Sequence, residues 1–448
     1  MRLKGLLVVT TAIVSLAMGT AEAQTLRESL ASAYNTNPDL GAARAELRAT
    51  DELVSQALSG YRPQVGAQAS YDIIDLATSQ GDATLDSSAV GLTVTQPLYR
   101  GGGLDANLRG SENTVRASRA NLIATEQQVL YDAVQAYAGV WRDRSVVELA
   151  IANEKRLQRQ LQATRDRFNV GEVARTDVAQ AEARLSDAVA SRVEAEGQLQ
   201  NSIATFRRVV SLEPDHVDQP VKPSELPANE AQAQELAAAN PNIASAQYTL
   251  AAARDDIDVA FSQILPQVDL RASTSYANEP SSNLEWQRDA SIGVQVTVPL
   301  YQGGAEYSQV RQNKQIARQR DQQLLSTQRS VAENVTTAWE TLQTNTANIS
   351  SRQSSVRANR IALEGVEQEA QVGSRTVLDV LDAEQELFSS QVELVRAQAN
   401  EVIAAYALLA TVGQLTAERL DLDVERYDAE AYYKENRSRL FGLGDPLN

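Results

Sequence analysis

Pro97-Leu98-Tyr99-Arg100-Gly101-Gly102 recurs 202 residues later as Pro299-Leu300-Tyr301-Gln302-Gly303-Gly304. Other landmarks keep nearly the same offset. Asn37-Pro38 returns as Asn240-Pro241 and Pro63-Gln64-Val65 as Pro266-Gln267-Val268, both at 203. Val170-Gly171 returns as Val372-Gly373 and Asp177-Val178 as Asp379-Val380, both at 202. Five matches with a single-residue slip define an internal duplication, which constrains the fold more than any single motif. Each copy reads helix, strand, strand, long helix, returning helix.

Immediately before each Pro-Leu-Tyr junction lie two stretches of strict alternation. Val65, Ala67, Ala69, Tyr71 and Ile73 alternate with Gly66, Gln68, Ser70 and Asp72; Val90, Leu92 and Val94 alternate with Gly91, Thr93 and Thr95. In the second copy, Val268, Leu270, Ala272 and Tyr276 are set against Asp269, Arg271, Ser273 and Ser275. Ile292, Val294, Val296 and Val298 are set against Gly293, Gln295 and Thr297. Period two predicts four strands, at ~63–75, ~89–98, ~266–276 and ~290–300, each with one apolar and one polar face. The Ser/Asp/Asn-rich stretches near 75–89 and 277–290 read as loops between them. Tyr99 and Tyr301 fall where an aromatic girdle would lie. Pro63, Pro97, Pro266 and Pro299 read as strand–helix junctions: the first of each pair turns helix into strand, the second ends the strand.

Beyond each junction the pattern is helical. Leu108, Val115, Leu122 and Val129 repeat by seven in the first copy, and Leu342, Ile349, Val356 and Leu363 in the second. These predict helices at ~103–170 and ~305–371, rods of roughly 100 Å at ~1.5 Å per residue, packed as coiled coils. Gly171 and Gly373 end them as left-handed caps, and helices return at ~176–210 and ~377–412. Pro214, Pro220, Pro223 and Pro227 make 211–230 a linker. The division is therefore a first repeat at 24–210, the linker, a second repeat at 231–412 and a C-terminal equatorial segment at 413–448.

Residues 1–23 read as a secretory signal. Arg2 and Lys4 precede an apolar run from Leu6 to Met18, too short to span a bilayer, and Ala21-Glu22-Ala23 supplies a cleavage site before Gln24. The chain has no Cys, so no thioether lipid anchor follows cleavage, and packing, ladders and oligomerisation must stabilise it. A net charge of −17 argues against a nucleic-acid partner. One His and no Cys argue against zinc, haem or iron–sulfur cofactors. His216 sits in the linker, a poor place for a held general base.

Four amphipathic strands with no large apolar helix to cover them pose a closure problem. They suit an outer membrane in length, but four strands cannot close a barrel, and lipid does not tolerate open edges. Three chains would give twelve strands, with the polar faces lining a lumen that the rods continue as a helical tube. At this point the mature chain resembles the TolC-like outer-membrane factors. The resemblance rests on the duplication, the two Pro-Leu-Tyr-x-Gly-Gly junctions and the tip segment Val372-Gly373-Ser374-Arg375-Thr376-Val377-Leu378-Asp379-Val380-Leu381-Asp382-Ala383. It implies a homotrimer of α+β class: a twelve-stranded transmembrane barrel on an α-helical coiled-coil tunnel, in the outer membrane of a Gram-negative bacterium and extending into the periplasm. It also implies a periplasmic adaptor, an inner-membrane ABC or proton-driven transporter, and contact with outer-membrane lipid. The function expected is a passive exit duct of a tripartite export system, with type I protein secretion favoured and multidrug efflux the alternative. A periplasmic coiled-coil scaffold without a pore explains the rods but not the strands. An enzyme would have only the Asp379/Asp382 pair to work with.

The resemblance also carries residues. Asp379 and Asp382, at i and i+3 on one helix face, match cation-selective aspartate rings at the periplasmic constriction. Thr376-x-x-Asp379 equally reads as a capping box, a role not open to Asp382. Arg375 and Asp177 match a gate link between neighbouring helix pairs, with Thr176 as polar companion; a solvated surface pair is the other reading. The family prototype has a tyrosine nine residues before the first ring aspartate, where this chain has Ala370.

Overall fold

A computed structural model describes residues 25–442 except Gln80 and Ser282. The signal segment and the last six residues lie outside the described residues.

Among the described residues the first elements are two helices, α1 (Leu26–Thr36) and α2 (Pro38–Ser59). Asn37 separates them and caps α2, its Oδ1 accepting from Asp39 N at 2.9 Å while its Nδ2 donates to Val209 O at 3.1 Å. Then follow β1 (Gln64–Thr78), β2 (Gly81–Arg100), the rod α3 (Gly103–Asn169) and its return α4 (Arg175–Val210). After the linker come α5 (Glu230–Ala237), α6 (Pro241–Ser262), β3 (Gln267–Ser281), β4 (Leu284–Thr297), the rod α7 (Ala305–Gln371), its return α8 (Val377–Thr411) and a short α9 (Ala431–Asn436). Asn240 repeats the role of Asn37, capping α6 through Asn242 N at 2.8 Å and donating to Thr411 O at 2.8 Å.

The strands form one antiparallel sheet in the order β1-β2-β3-β4, so β1 and β4 are edges. Val65 pairs with Val94, Ala67 with Leu92, Val90 with Tyr276 and Ala272 with Ile292. Apolar side chains thus stand opposite one another on a single face, left exposed at Val65, Ile73, Leu92, Ile292 and Val294. Tyr276 stacks on Trp286, ring centroids 6.4 Å apart, towards the far end of that face.

Two sequence expectations are corrected here. The stretches near 75–89 and 277–290 are not open loops. Both hairpins stay paired almost to their ends, with Thr78 opposite Gly81 and Ser281 opposite Leu284. Ladder bonds come from the backbone, so a strand continues through polar residues once alternation has lost its apolar half. Pro97 does not end a strand. It lies inside β2 opposite Asp269 at a register shift, and β2 continues to Arg100, which pairs with Asp269 at 2.8 Å. Pro299 lies beyond the end of β4, and Pro63 and Pro266 immediately precede β1 and β3. The turn into each rod is made by glycine: Gly102 and Gly304 cap α3 and α7 at φ +77° and +85°, where a β-carbon is strained.

The main core lies around the middle of the rods, where Tyr137, Phe206, Leu30, Leu40, Leu130 and Leu415 are fully or almost fully buried. Smaller seams run towards the tips: Leu157, Leu161, Ala181, Val377 and Leu381 in one, and Val356, Leu363, Ala370, Val380 and Leu387 in the other. The two rods differ. Buried residues recur along most of α3, packed on α2 and α6, whereas α7 buries one sparse stripe from Val310 to Ala370 and leaves the rest exposed. Among the described residues no helix is long and apolar enough to cross a membrane.

Candidate gate at the helical tips

Each rod turns back through the same device. Gly171 and Gly373 both sit at φ +81°. Glu172 N donates to Arg167 O at 2.9 Å, and Ser374 N to Glu369 O at 2.9 Å, so the last carbonyls of both rods are satisfied across the turn. An ion pair then closes each turn, with its polarity exchanged between copies. Arg167 Nε lies 3.2 Å from Glu172 Oε2, whereas Arg375 Nε lies 2.8 Å from Glu369 Oε2, and Arg167 and Glu369 are equivalent positions in the duplication.

The returning helices start on carboxylates. Asp177 Oδ2 accepts from Ala174 N at 3.0 Å. Asp379 Oδ2 accepts from Thr376 N at 2.9 Å and from Thr376 Oγ1 at 2.8 Å, while Thr376 Oγ1 accepts from Asp379 N at 3.2 Å. The capping box is therefore formed. The backbone hydrogen bond from Thr376 holds the Asp379 carboxyl below its usual range, helped by the Thr376 hydroxyl and by Arg375. Within one chain Arg375 is engaged by Glu369 and Asp177 by its own cap, so the structure does not bring Arg375 and Asp177 together; Thr176 is exposed beside the cap.

Asp382 meets a residue the sequence reading missed. Arg184 Nη2 lies 2.5 Å from Asp382 Oδ1, tying α4 to α8. Both side chains are more than a third exposed, so the pair contributes under ~1 kcal/mol. Close by, Glu384 is 4% exposed and faces Arg156 of α3, with Nε to Oε2 at 3.5 Å. Burial pushes its carboxyl up, and Arg156 partly offsets that. Arg184 stands seven residues after Asp177, on the same helical face, the only local signal that could have flagged it. Ala370, 7% exposed, packs in the α7–α8 seam with Val380 and Leu363. His216 is exposed in the linker, and no group of three His, Cys, Asp or Glu among the described residues could hold a metal ion.

An apolar-faced sheet with two open edges, carried on rods that end in charged turns, is the architecture of an outer-membrane channel subunit. The sequence profile of the outer membrane efflux proteins matches residues 26–210 and 233–414. Over 428 residues the chain is 36% identical to the outer membrane efflux protein BepC of Brucella suis biovar 1, covering 95% of this chain and 93% of that protein. It is 29% identical to the outer membrane protein TolC of Vibrio cholerae serotype O1, over 90% and 94% of the two chains. Among solved structures, the Campylobacter jejuni CmeC outer membrane channel superposes with a TM-score of 0.79 at 17% identity, over 93% and 90%. The chain belongs to the outer membrane efflux protein family. Its fold is the family's, a four-strand share of a trimeric transmembrane β-barrel continued into the periplasm by a helical tunnel. It is a transport channel of the outer membrane and not an enzyme.

Proposed function

We propose that three copies of this chain form the passive exit duct of a tripartite export system, gated at its periplasmic tip. One observation carries the reading: the sheet leaves β1 and β4 unpaired along their outer edges, and lipid cannot satisfy those backbone groups. Neighbouring copies complete the ladder, and three give a closed twelve-stranded barrel. Export energy comes from an inner-membrane transporter, ABC-type or proton-driven, joined to the duct by a periplasmic adaptor. The remaining contacts are with outer-membrane lipid, with no nucleic acid involved.

At the tip, Asp379 and Asp382 of three chains form two carboxylate rings that attract cations. The cap on Asp379 occupies only its Oδ2, so capping and ring roles are compatible. Arg375 exchanges Glu369 for the partner subunit's Asp177 in the closed trimer, with Thr176 alongside, while Arg184–Asp382 and Arg156–Glu384 hold the two helix pairs of one chain together. Type I protein secretion is the finer reading; two relatives at 26% and 27% identity are named for alkaline protease and protease secretion. Small-compound efflux is the second, favoured by the name of the 36% identical relative.

The test is light scattering in detergent followed by planar-bilayer recording. A trimer with a conducting pore is expected, and a detergent-free monomer as the native form would contradict the duct. Cross-linking in membranes and identifying the attached transporter separates secretion, with an ABC protein, from efflux through a proton-driven pump.

A further inference from the structure

The two hairpins share one register. Moving β1 by 203 and β2 by 202 converts the pair Gln64–Thr95 into Gln267–Thr297 and Val65–Val94 into Val268–Val296, both observed. The helices follow suit, α2 packing on α3 as α6 packs on α7. One junction lacks a counterpart within the chain: β2–β3, with α3 lying on α6. Its counterpart would join β4 and α7 to β1 and α2, which stand at opposite edges of the sheet.

We propose that the seam between neighbouring copies takes the residue register of this internal junction and sets Arg311 against the partner subunit's Glu52. This rests on the trimeric reading above. Applying the same offsets, Val90–Tyr276 becomes Ile292 opposite the partner subunit's Ile73, and Gly91–Ser275 becomes Gly293 opposite the partner subunit's Asp72. Both isoleucines are exposed on the apolar face, so the transposed register keeps that face continuous across the seam; a one-residue slip would turn one strand's apolar side chains into the lumen.

The helices give an independent match. Arg109 Nε of α3 binds Asp255 Oδ1 of α6 at 3.0 Å. Shifted by the same offsets, these positions are Arg311 of α7 and Glu52 of α2, so the duplication preserves both charge signs. Arg311 is exposed and takes part in no ion pair among the described residues, and Glu52 is half-buried, accepting from Tyr432 Oη at 2.8 Å. The glycines agree. A Cβ on Gly101 would lie 2.8 Å from Ser262 O at the end of α6, whereas one on its equivalent Gly303 meets nothing within 4 Å of its own chain. The wall that crowds the first belongs, in the second, to the neighbour's α2.

The absence of native cysteine makes the register directly readable. Ile73→Cys with Ile292→Cys, and Asp72→Cys with Gly293→Cys, are oxidised in membranes and run without reductant. Two pairs are used because facing residues alternate between close and wide spacing. At least one should form covalent dimers and trimers about tenfold more efficiently than the slipped combinations of Ile292→Cys with Tyr71→Cys or Asp75→Cys, whose Cα separation of roughly 7–8 Å exceeds disulfide reach. Preferential cross-linking at a slipped pair in a protein that scatters as a trimer overturns the register. Arg311→Glu should lower the trimer fraction on dilution, and Glu52→Arg added to it should restore that fraction. A double variant no better than the single one overturns the ion pair. A native monomer overturns the trimer reading and the seam with it.

Discussion

Asp51 offers a prediction whose size follows from its surroundings. It is 3% exposed in α2, close to Arg119 of α3, under the C-terminal segment in which Tyr432 binds Glu52 and Glu430 binds Arg119. Neither carboxylate oxygen of Asp51 has a hydrogen-bond partner. Burial pushes its carboxyl from 3.8 up to about 6; Arg119 opposes the shift and Glu52 adds to it. With the ordinary carboxyl value of 3.8 taken as the limit for the opened segment, a raised carboxyl favours the closed segment fully only below 3.8, and that advantage is lost as pH rises through about 6. At ~1.4 kcal/mol per unit, ionised Asp51 costs the closed segment about 3 kcal/mol at pH 7.5 as an upper bound. Asp51→Asn keeps the shape, removes the charge and gives Arg119 a neutral acceptor. Amide exchange in α9, compared between variant and wild type at each pH, reads the opening of that segment. At pH 7.5 the variant should exchange more slowly, by up to about a hundredfold, and the ratio should shrink roughly tenfold at pH 5. Faster exchange in the variant at pH 7.5, or a ratio indifferent to pH, would refute the argument.

At the tip, Arg375→Ala should raise single-channel conductance in planar bilayers, because the closed trimer loses a restraint and Ala370 supplies no polar replacement; unchanged conductance removes Arg375 from the gate. Asp379→Ala combined with Asp382→Ala should relieve block by multivalent cations added on the periplasmic side. Arg184→Ala should strengthen that block by freeing the Asp382 carboxylate from the cation 2.5 Å away; identical block curves for all three proteins would exclude the rings. In the sheet, Val94→Arg should impair membrane insertion more than Thr93→Arg, since a lipid-facing arginine costs ~2–4 kcal/mol near the midplane. Equal yields of membrane-inserted trimer would show that the faces are misassigned.

What the sequence disclosed and what it withheld divide along physical lines. Alternation from Val65 to Ile73 and from Ile292 to Val298 is imposed by a face that must be apolar, so it is written in residue types. The outer halves of the hairpins, from Asp75 to Asp86 and, with a break between Asn278 and Ser281, from Ala277 to Arg288, are held mainly by backbone ladders that ask little of side chains, and composition alone read them as loops. The turns at Gly171 and Gly373 were legible because positive φ restricts the choice of residue. The partners of the tip charges were not. Arg375 reaches Glu369 six residues away, but Arg184 and Asp382 meet across 198 positions, and no local spacing encodes that. Thr376-x-x-Asp379 announced its cap; the presence of that cap leaves room for a ring.

The unequal burial of the two rods bears on how such a channel is made. In the isolated chain most of α7 and most of the sheet stand exposed. Part of the burial that usually closes a fold is therefore deferred, along α7 to neighbouring chains and along the apolar face of the sheet to lipid. Formation of finished channels then depends on subunit abundance more steeply than in proportion. A modest drop in synthesis would cut export capacity out of scale, and the waiting chains would be the species that proteases and holding chaperones meet.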